Sequence, residues 1–129
     1  MQKITLILGG ARSGKSAYGE MLALKNFSSP IYIFTAQAWD DEMKSRIKTH
    51  RKRREGKNWK DIEAPIELGA AIKNNATSNN CILVDCLTLW LTNILLAGQD
   101  IDDAINELLQ MINACPGEII LISSVERDL

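Results

Sequence analysis

Long apolar runs are absent from this chain, and no segment approaches the roughly 20 consecutive apolar residues that a membrane-spanning helix needs. The first residues also lack the charged and apolar segments of a signal peptide. The three cysteines, Cys81, Cys86 and Cys115, form no C-x-x-C pair, and a single histidine leaves too few ligands for a zinc site. These absences predict a cytoplasmic protein whose cysteines are reduced thiols.

The net charge is also close to zero, and aromatic residues are few. The formal net charge is -1, and aromatic residues make up only 5% of the 129 residues. No global property therefore indicates binding to nucleic acid or to a membrane surface. A hydrophobic content of 46% is sufficient for one core, so the chain from 1 to 129 is predicted to be a single domain.

Short apolar runs alternate with amphipathic stretches along the chain. This pattern predicts an α/β fold with a mostly parallel sheet and helices on both faces. The predicted strands cover residues 4–8, 31–34, 81–85 and 118–122, with a further short segment at 59–63. The predicted helices cover residues 15–25, 40–54, 67–73 and 87–97, with another after Asp100.

A glycine-rich segment follows the first predicted strand and matches the pattern G-x-x-x-x-G-K-[ST]. Such a P-loop binds phosphate oxygens through its backbone N–H groups and the start of the next helix. Lys15 is expected to reach the β- and γ-phosphates, and the Ser16 hydroxyl to ligate Mg²⁺. A glycine-rich turn that fits the pattern by chance is the alternative. The predicted phosphate contacts are Gly9, Gly10, Ala11, Arg12, Ser13, Gly14, Lys15 and Ser16.

Asp85 ends the apolar run Cys-Ile-Leu-Val-Asp, which is the usual position of the second metal-side carboxylate in P-loop proteins. We therefore expect Asp85 and Ser16 to hold Mg²⁺ together. An alternative is that Asp85 caps the helix predicted to begin at Leu87, because aspartate is common at that position.

His50 lies on the helix predicted over 40–54, in the most basic part of the chain. Residues 44 to 60 contain nine of the fifteen lysines and arginines. Neighbouring cations disfavour a charged imidazole, and a neutral imidazole can attack phosphorus as a nucleophile. The arginines beside it could bind the triphosphate under attack. An isolated histidine on a charged helix is, however, more often a solvated surface residue, and the basic run could instead be a nucleic-acid patch.

Several motifs in order resemble one family, the bifunctional adenosylcobinamide kinase / adenosylcobinamide-phosphate guanylyltransferase of cobalamin biosynthesis. Besides the P-loop, these are Y-I-F-T-A-Q from Tyr32, D-D-E-M-x-x-R-I-x-x-H from Asp40, I-E-A-P from Ile62 and V-D-C-L-T-L-W-L-T-N from Val84. The helix that carries His50 is the most specific of them, and the resemblance extends from Lys3 to about Ile122.

The resemblance implies two reactions that consume nucleoside triphosphates. A kinase step, with ATP or GTP, phosphorylates adenosylcobinamide, and a transfer step uses GTP to convert adenosylcobinamide phosphate into adenosylcobinamide-GDP. The family forms a covalent GMP-histidine, and the matching position is His50. Homo-oligomers are also implied. The further nucleotide contacts implied by motif matching are Thr35, Ala36, Gln37, Arg51, Lys52, Arg53, Arg54, Glu63 and Asp85.

The sequence after Ile122 departs from the family pattern. The resemblance implies roughly fifty more residues than this chain has, and a complete α/β domain also usually needs more flanking elements than this sequence provides. Missing elements are expected to leave an edge or a face of the sheet uncovered. Two other functions therefore stay open: a truncated protein that binds nucleotide without turnover, and a different P-loop kinase for small molecules.

Overall fold

The structure is a computed structural model that describes residues 3–10, 13–37 and 40–125. Ala11 and Arg12, two of the predicted phosphate contacts, lie outside the described residues. No helix within the described part of the chain is long and apolar enough to cross a membrane. The strands are β1 (Ile4–Gly9), β2 (Ile31–Phe34), β3 (Lys60–Glu63), β4 (Cys81–Asp85) and β5 (Glu118–Ser124), and the helices are α1 (Lys15–Asn26), α2 (Asp41–Arg54), α3 (Leu68–Asn75), α4 (Leu87–Leu96) and α5 (Ile101–Asn113).

The five strands form one parallel sheet in the order β1-β5-β4-β2-β3. The predicted α/β fold is thereby confirmed, and each predicted element lies within a few residues of its observed position. Because all strands run in the same direction, their carboxyl ends meet at one edge of the sheet. In open parallel sheets, ligands bind outside this edge.

Two apolar layers cover the two faces of the sheet. On one face, α3, α4 and α5 contribute Leu68, Ile94 and Leu108 to a core with Ile33 and Val84 of the central strands. On the other face, α1 packs Ala23 against alternate residues of the same strands, which gives a smaller core containing Tyr32, Phe34, Leu83, Ile120 and Ile122. The central strands are buried on both faces, which explains why they have near-continuous apolar sequences.

β1 lies at one edge of the sheet and is covered on one face only. Its side chains alternate, and Ile4, Leu6 and Leu8 are 46%, 54% and 59% exposed. They pair with Ile119, Leu121 and Ser123 of β5 and therefore share the face on which α4 and α5 lie. An uncovered row of apolar side chains on an edge strand is a surface on which another element or chain can pack.

Gly117, in the turn before β5, is required by a close approach of the backbone. A Cβ atom at this position would lie 2.3 Å from the carbonyl oxygen of Thr77 and 2.5 Å from that of Asn80. We expect Gly117→Ala to lower the free energy of unfolding by about 1–3 kcal/mol, because two backbone carbonyls would have to move. Chemical denaturation measures this change. Ser78→Ala, at an exposed position in the loop that contains Thr77 and Asn80, is the control, and equal stability of the two variants would contradict the expectation.

Candidate active site

The phosphate loop joins β1 to α1 at the carboxyl edge of the sheet. Gly14 has a φ of +84°, a left-handed conformation that favours glycine, and it begins α1. A Cβ on Gly9 would lie 2.6 Å from Ser13 Oγ, a contact that rotation of the serine side chain can relieve. Gly14 has no side chain that could cap the helix, and the first N–H groups of α1 are therefore suited to bind an anion. Lys15 Nζ donates to the carbonyl oxygen of Gly10 at 3.0 Å.

Asp85 connects the phosphate loop to the rest of the site. Its Oδ2 atom accepts a hydrogen bond from Ser16 Oγ at 2.8 Å and another from the Tyr32 hydroxyl. His50 Nδ1 lies 3.7 Å from the same oxygen, which is an electrostatic contact rather than a hydrogen bond. One carboxylate oxygen thus faces the P-loop, strand β2 and helix α2 together. The alternative role of Asp85 as a helix cap is wrong, because Cys86 occupies the N-cap position of α4.

The surroundings of Asp85 favour its charged form. Burial raises the pKa of this carboxyl, but His50, Tyr32 and Ser16 outweigh burial and hold the pKa below its ordinary value. Burial and the neighbouring Asp85 raise the pKa of Tyr32, so its hydroxyl stays a proton donor. Asp85 is therefore a buried anion at neutral pH, and a metal cation can use its charge without first displacing a proton.

Helix α2 packs on the sheet through polar contacts, because Met43 and Ile47 are its only large apolar residues. Asp40 caps its start by accepting from the N–H of Met43 at 2.8 Å. Near its end, Arg53 forms a two-point ion pair with the buried Glu20 of α1. These contacts fix the face of α2 that carries His50 above the carboxyl edge of the sheet, with the His50 side chain 37% exposed.

Arg54 anchors the end of α2 more deeply than any other residue of that helix, with only 4% of its surface exposed. Its guanidinium donates to both carboxylate oxygens of Asp61, at 3.2 and 2.9 Å, and to the carbonyl oxygen of His50 at 3.0 Å. It also lies 3.6 Å from the centre of the Tyr32 ring. Arg54 therefore ties the backbone of His50 to Asp61 of β3 and to Tyr32 of β2, whose hydroxyl bonds to Asp85.

We expect Arg54→Met to lower the free energy of unfolding by about 1–3 kcal/mol, because it removes a buried, two-point ion pair while keeping an apolar stem. The loss is limited because Asp61 is about one third exposed and regains contact with water when the ion pair is removed. Urea denaturation measures the change. Lys57→Met, at an exposed position just after the helix, controls for loss of a positive charge. Equal stability of the two variants would show that Arg54 does not anchor α2.

A cavity of about 590 Å³ lies above Asp85, between the phosphate loop, helix α2 and the start of α4. This volume is typical of a small-molecule site. Among the described residues, the charged side chains lining it come from the start of α1, from α2 and from the end of β4. They are Lys15, Arg46, Arg51, Arg53, Arg54 and Asp85, and His50 lies among them.

The structure brings most of the predicted site residues to this cavity. Ser13, Gly14, Lys15 and Ser16 line it together with Ala36, His50, Arg51, Arg53, Arg54 and Asp85, and Gly9 and Gly10 form the loop before them. Thr35, Gln37, Lys52 and Glu63 are not among the described lining residues. Thr35 is fully buried, and its hydroxyl bonds to the backbone N–H and carbonyl of Cys86. As nucleotide contacts, all these residues stay predictions.

Sequence reasoning did not find several residues that line the cavity. Tyr32 was not identified, because an aromatic residue in a buried strand is predicted to be a core residue. Arg46, by contrast, was expected on the same helix face as His50, because the two lie one helical turn apart, and it lines the cavity. The remaining residues include Phe34, Met43 and Ile47, and also Thr88, Leu89, Thr92 and Ser124 from α4 and β5.

Comparison with known families agrees with this geometry. The sequence model of the family described as "Cobinamide kinase / cobinamide phosphate guanyltransferase" matches residues 5–125. The chain belongs to this family. Membership confirms the resemblance drawn from the motifs, since the matched range contains the P-loop, His50 and Asp85.

Individual relatives give the same result. The bifunctional adenosylcobalamin biosynthesis protein CobP of Pseudomonas aeruginosa is 49% identical over 121 residues, which cover 92% of this chain and 69% of that protein. The protein named CobU, with the same description, is 34% identical in Escherichia coli K12 and 33% identical in Salmonella typhimurium LT2. Both matches cover 92% of this chain and 73% of the relative. The relatives are thus similar to this chain over most of their own length.

Proposed function

We propose that this chain phosphorylates adenosylcobinamide with a nucleoside triphosphate and then transfers GMP from GTP to adenosylcobinamide phosphate. The observation that carries the proposal is the contact of one carboxylate, Asp85, with both the P-loop residue Ser16 and His50. A P-loop alone supports phosphoryl transfer from the γ-phosphate. A histidine held beside it adds a nucleophile for a second phosphorus atom of the same bound nucleotide.

In the kinase reaction, the terminal alcohol of adenosylcobinamide attacks the γ-phosphorus. A new P–O bond forms, the bond to the bridging β–γ oxygen breaks, and the nucleoside diphosphate leaves while the alcohol proton is released to water. Lys15 would leave the carbonyl oxygen of Gly10 and bind the β- and γ-phosphates. The first N–H groups of α1 would hold the charge that develops on the phosphate oxygens.

In the transfer reaction, the reacting nitrogen is Nε2 of His50, because Nδ1 faces Asp85. Nε2 attacks the α-phosphorus of GTP, a P–N bond forms, and pyrophosphate leaves as the P–O bond breaks. The proton stays on Nδ1, where the Asp85 carboxylate compensates the positive charge of the guanylylated ring. A phosphate oxygen of adenosylcobinamide phosphate then attacks the same phosphorus, and the P–N bond breaks to restore His50.

Magnesium is part of this proposal. Ser16 Oγ and Asp85 Oδ2 lie 2.8 Å apart, and both are oxygen atoms, which Mg²⁺ prefers as ligands. No group of three or more histidine, cysteine or acidic residues that could hold a metal occurs among the described residues, so the protein alone would supply few ligands. Phosphates and water would complete the shell, and the ion would neutralise charge on the leaving group. A homo-oligomer stays a prediction.

The test is conversion of adenosylcobinamide by the purified chain, followed by chromatography with ATP, GTP and Mg²⁺ present. We expect adenosylcobinamide phosphate first and adenosylcobinamide-GDP second. Formation of the first product alone would reduce the function to a kinase. Absence of both products in folded protein that still binds GTP would instead favour a nucleotide-binding protein without turnover.

A further inference from the structure

The cavity above Asp85 has two chemically different sides. One side carries Lys15, His50 and the arginines of α2, which suit a triphosphate. The other side, which we name the α4 wall, consists of Cys86, Thr88, Leu89, Thr92 and Ser124. No residue of the α4 wall carries a formal charge. The triphosphate with Mg²⁺ gains little from such a surface, so the wall suits an uncharged group of a ligand.

The α4 wall is rigid, because Thr88 joins the first turn of α4 to the end of β5. The Thr88 hydroxyl donates to the carbonyl oxygen of Ser124 at 2.9 Å and accepts from the N–H of Ser124 at 3.0 Å. It also pairs with Ser123 Oγ at 2.8 Å. One donor and two acceptor positions are all that a hydroxyl offers, so Thr88 supports the wall and has nothing left for a ligand.

The groups that the wall offers to a ligand are apolar or weakly polar. Leu89 and Thr92 lie three residues apart on α4 and therefore share one face of the helix. The Thr92 hydroxyl donates to the carbonyl oxygen of Thr88 at 3.2 Å, and its oxygen can still accept hydrogen bonds. Among residues 3–10, 13–37 and 40–125, the polar contact of Ser124 Oγ is a long one, 4.0 Å from Cys86 Sγ. The wall thus combines one leucine with free acceptor and donor positions, which suits a neutral amide or alcohol.

We infer that the α4 wall is the binding subsite for the amide- and hydroxyl-bearing arm of the corrinoid acceptor. The inference rests on the proposed function, because it takes the second substrate from there. Position supports it: α4 begins two residues after Asp85, so a ligand on the wall has one end beside the carboxylate that contacts Ser16. A neutral arm bound there leaves the cationic side free for the nucleotide.

The test measures binding of adenosylcobinamide and of GTP separately, by equilibrium dialysis, in the wild-type chain and in Leu89→Glu. We expect Leu89→Glu to weaken adenosylcobinamide binding about tenfold or more, because a carboxylate replaces the apolar contact in the wall. GTP affinity should stay within about twofold, which also reports that the variant is folded. Thr92→Val, which keeps the side-chain shape, should weaken adenosylcobinamide binding by a smaller factor.

Leu96→Glu is the matched control, since Leu96 ends the same helix, is 75% exposed and is not among the described lining residues. It should leave both affinities unchanged. Unchanged adenosylcobinamide affinity in Leu89→Glu, or an equal loss of GTP affinity, would overturn the inference. Failure of the wild-type chain to bind adenosylcobinamide would overturn it too. If adenosylcobinamide and GTP bind as expected but no product forms, only the proposed function is contradicted.

Discussion

His50→Ala is expected to lose covalent labelling by GTP radiolabelled at the α-phosphorus, with a decrease of about 1000-fold or more. The imidazole is the only protein group in the proposed transfer that forms a bond to phosphorus, so no neighbouring side chain replaces it. GTP binding should fall by no more than a few-fold, because the phosphate loop and Lys15 are untouched. Labelling is measured on denatured protein after removal of free nucleotide.

Phosphorylation of adenosylcobinamide provides an internal comparison for the same variant. Attack on the γ-phosphorus does not use His50, so His50→Ala should keep most of its kinase activity. Lys48→Ala, two residues earlier on the exposed side of α2, controls for changes in the helix. Retention of more than about a tenth of the labelling by His50→Ala would exclude His50 as the nucleophile.

Asp85→Asn is expected to weaken both reactions, with labelling of His50 decreased about 100-fold or more. Asparagine has nearly the same shape and can still accept from Ser16 and Tyr32, but it lacks the negative charge. The substitution therefore weakens the binding of Mg²⁺, and it leaves the positive charge of the guanylylated histidine without a compensating negative charge. Initial labelling rates over a range of Mg²⁺ concentrations measure it, and Mg²⁺-dependent GTP binding gives a second readout without turnover.

Asp102→Asn, at an exposed position in the first turn of α5, is the control for loss of one carboxylate. It should behave as the wild type in both measurements. If Asp85→Asn labelled His50 within a few-fold of the wild-type rate, the contact between Asp85 and the two halves of the site would be structural only.

The sequence predicts the fold well because the fold depends on local periodicity. Buried parallel strands need apolar residues on both faces, and the first four residues of Cys81–Asp85 satisfy this need in consecutive positions. The P-loop is equally local, since the tight turn at Gly14 and the helix that follows are encoded in adjacent residues. The family resemblance then identified His50 as a site residue. The composition of the helix around it, taken alone, suggests a solvated surface residue.

Contacts between distant residues are what the sequence does not reveal. Arg53 and Arg54 were expected to bind nucleotide, and their strongest partners in the structure are Glu20 and Asp61. Glu20 lies 33 residues away on another helix, and no periodicity connects the two. Similarly, the sequence argument for His50 considered only its cationic neighbours on α2, because the approach of Asp85 depends on how α2 packs against the sheet.

Tyr32 is a second residue whose contacts with the site the sequence does not reveal. Its position in a buried strand predicts a core residue, and its ring does pack against Trp59 in an edge-on geometry. Its hydroxyl nevertheless bonds to Asp85, and Arg54 covers its ring. Tyr32 thus belongs to the core and also supports the site. The alternation of apolar and polar residues predicts the first role but not the second.

The most direct test of the central claim is to map the GMP adduct by mass spectrometry after incubation of the chain with GTP and Mg²⁺. The account predicts a single adduct on the peptide that contains His50, stable in alkali and lost in acid, as expected for a phosphorus–nitrogen bond. An adduct on Lys15 or on another lysine would contradict the account. So would the absence of any adduct on folded chain that binds GTP.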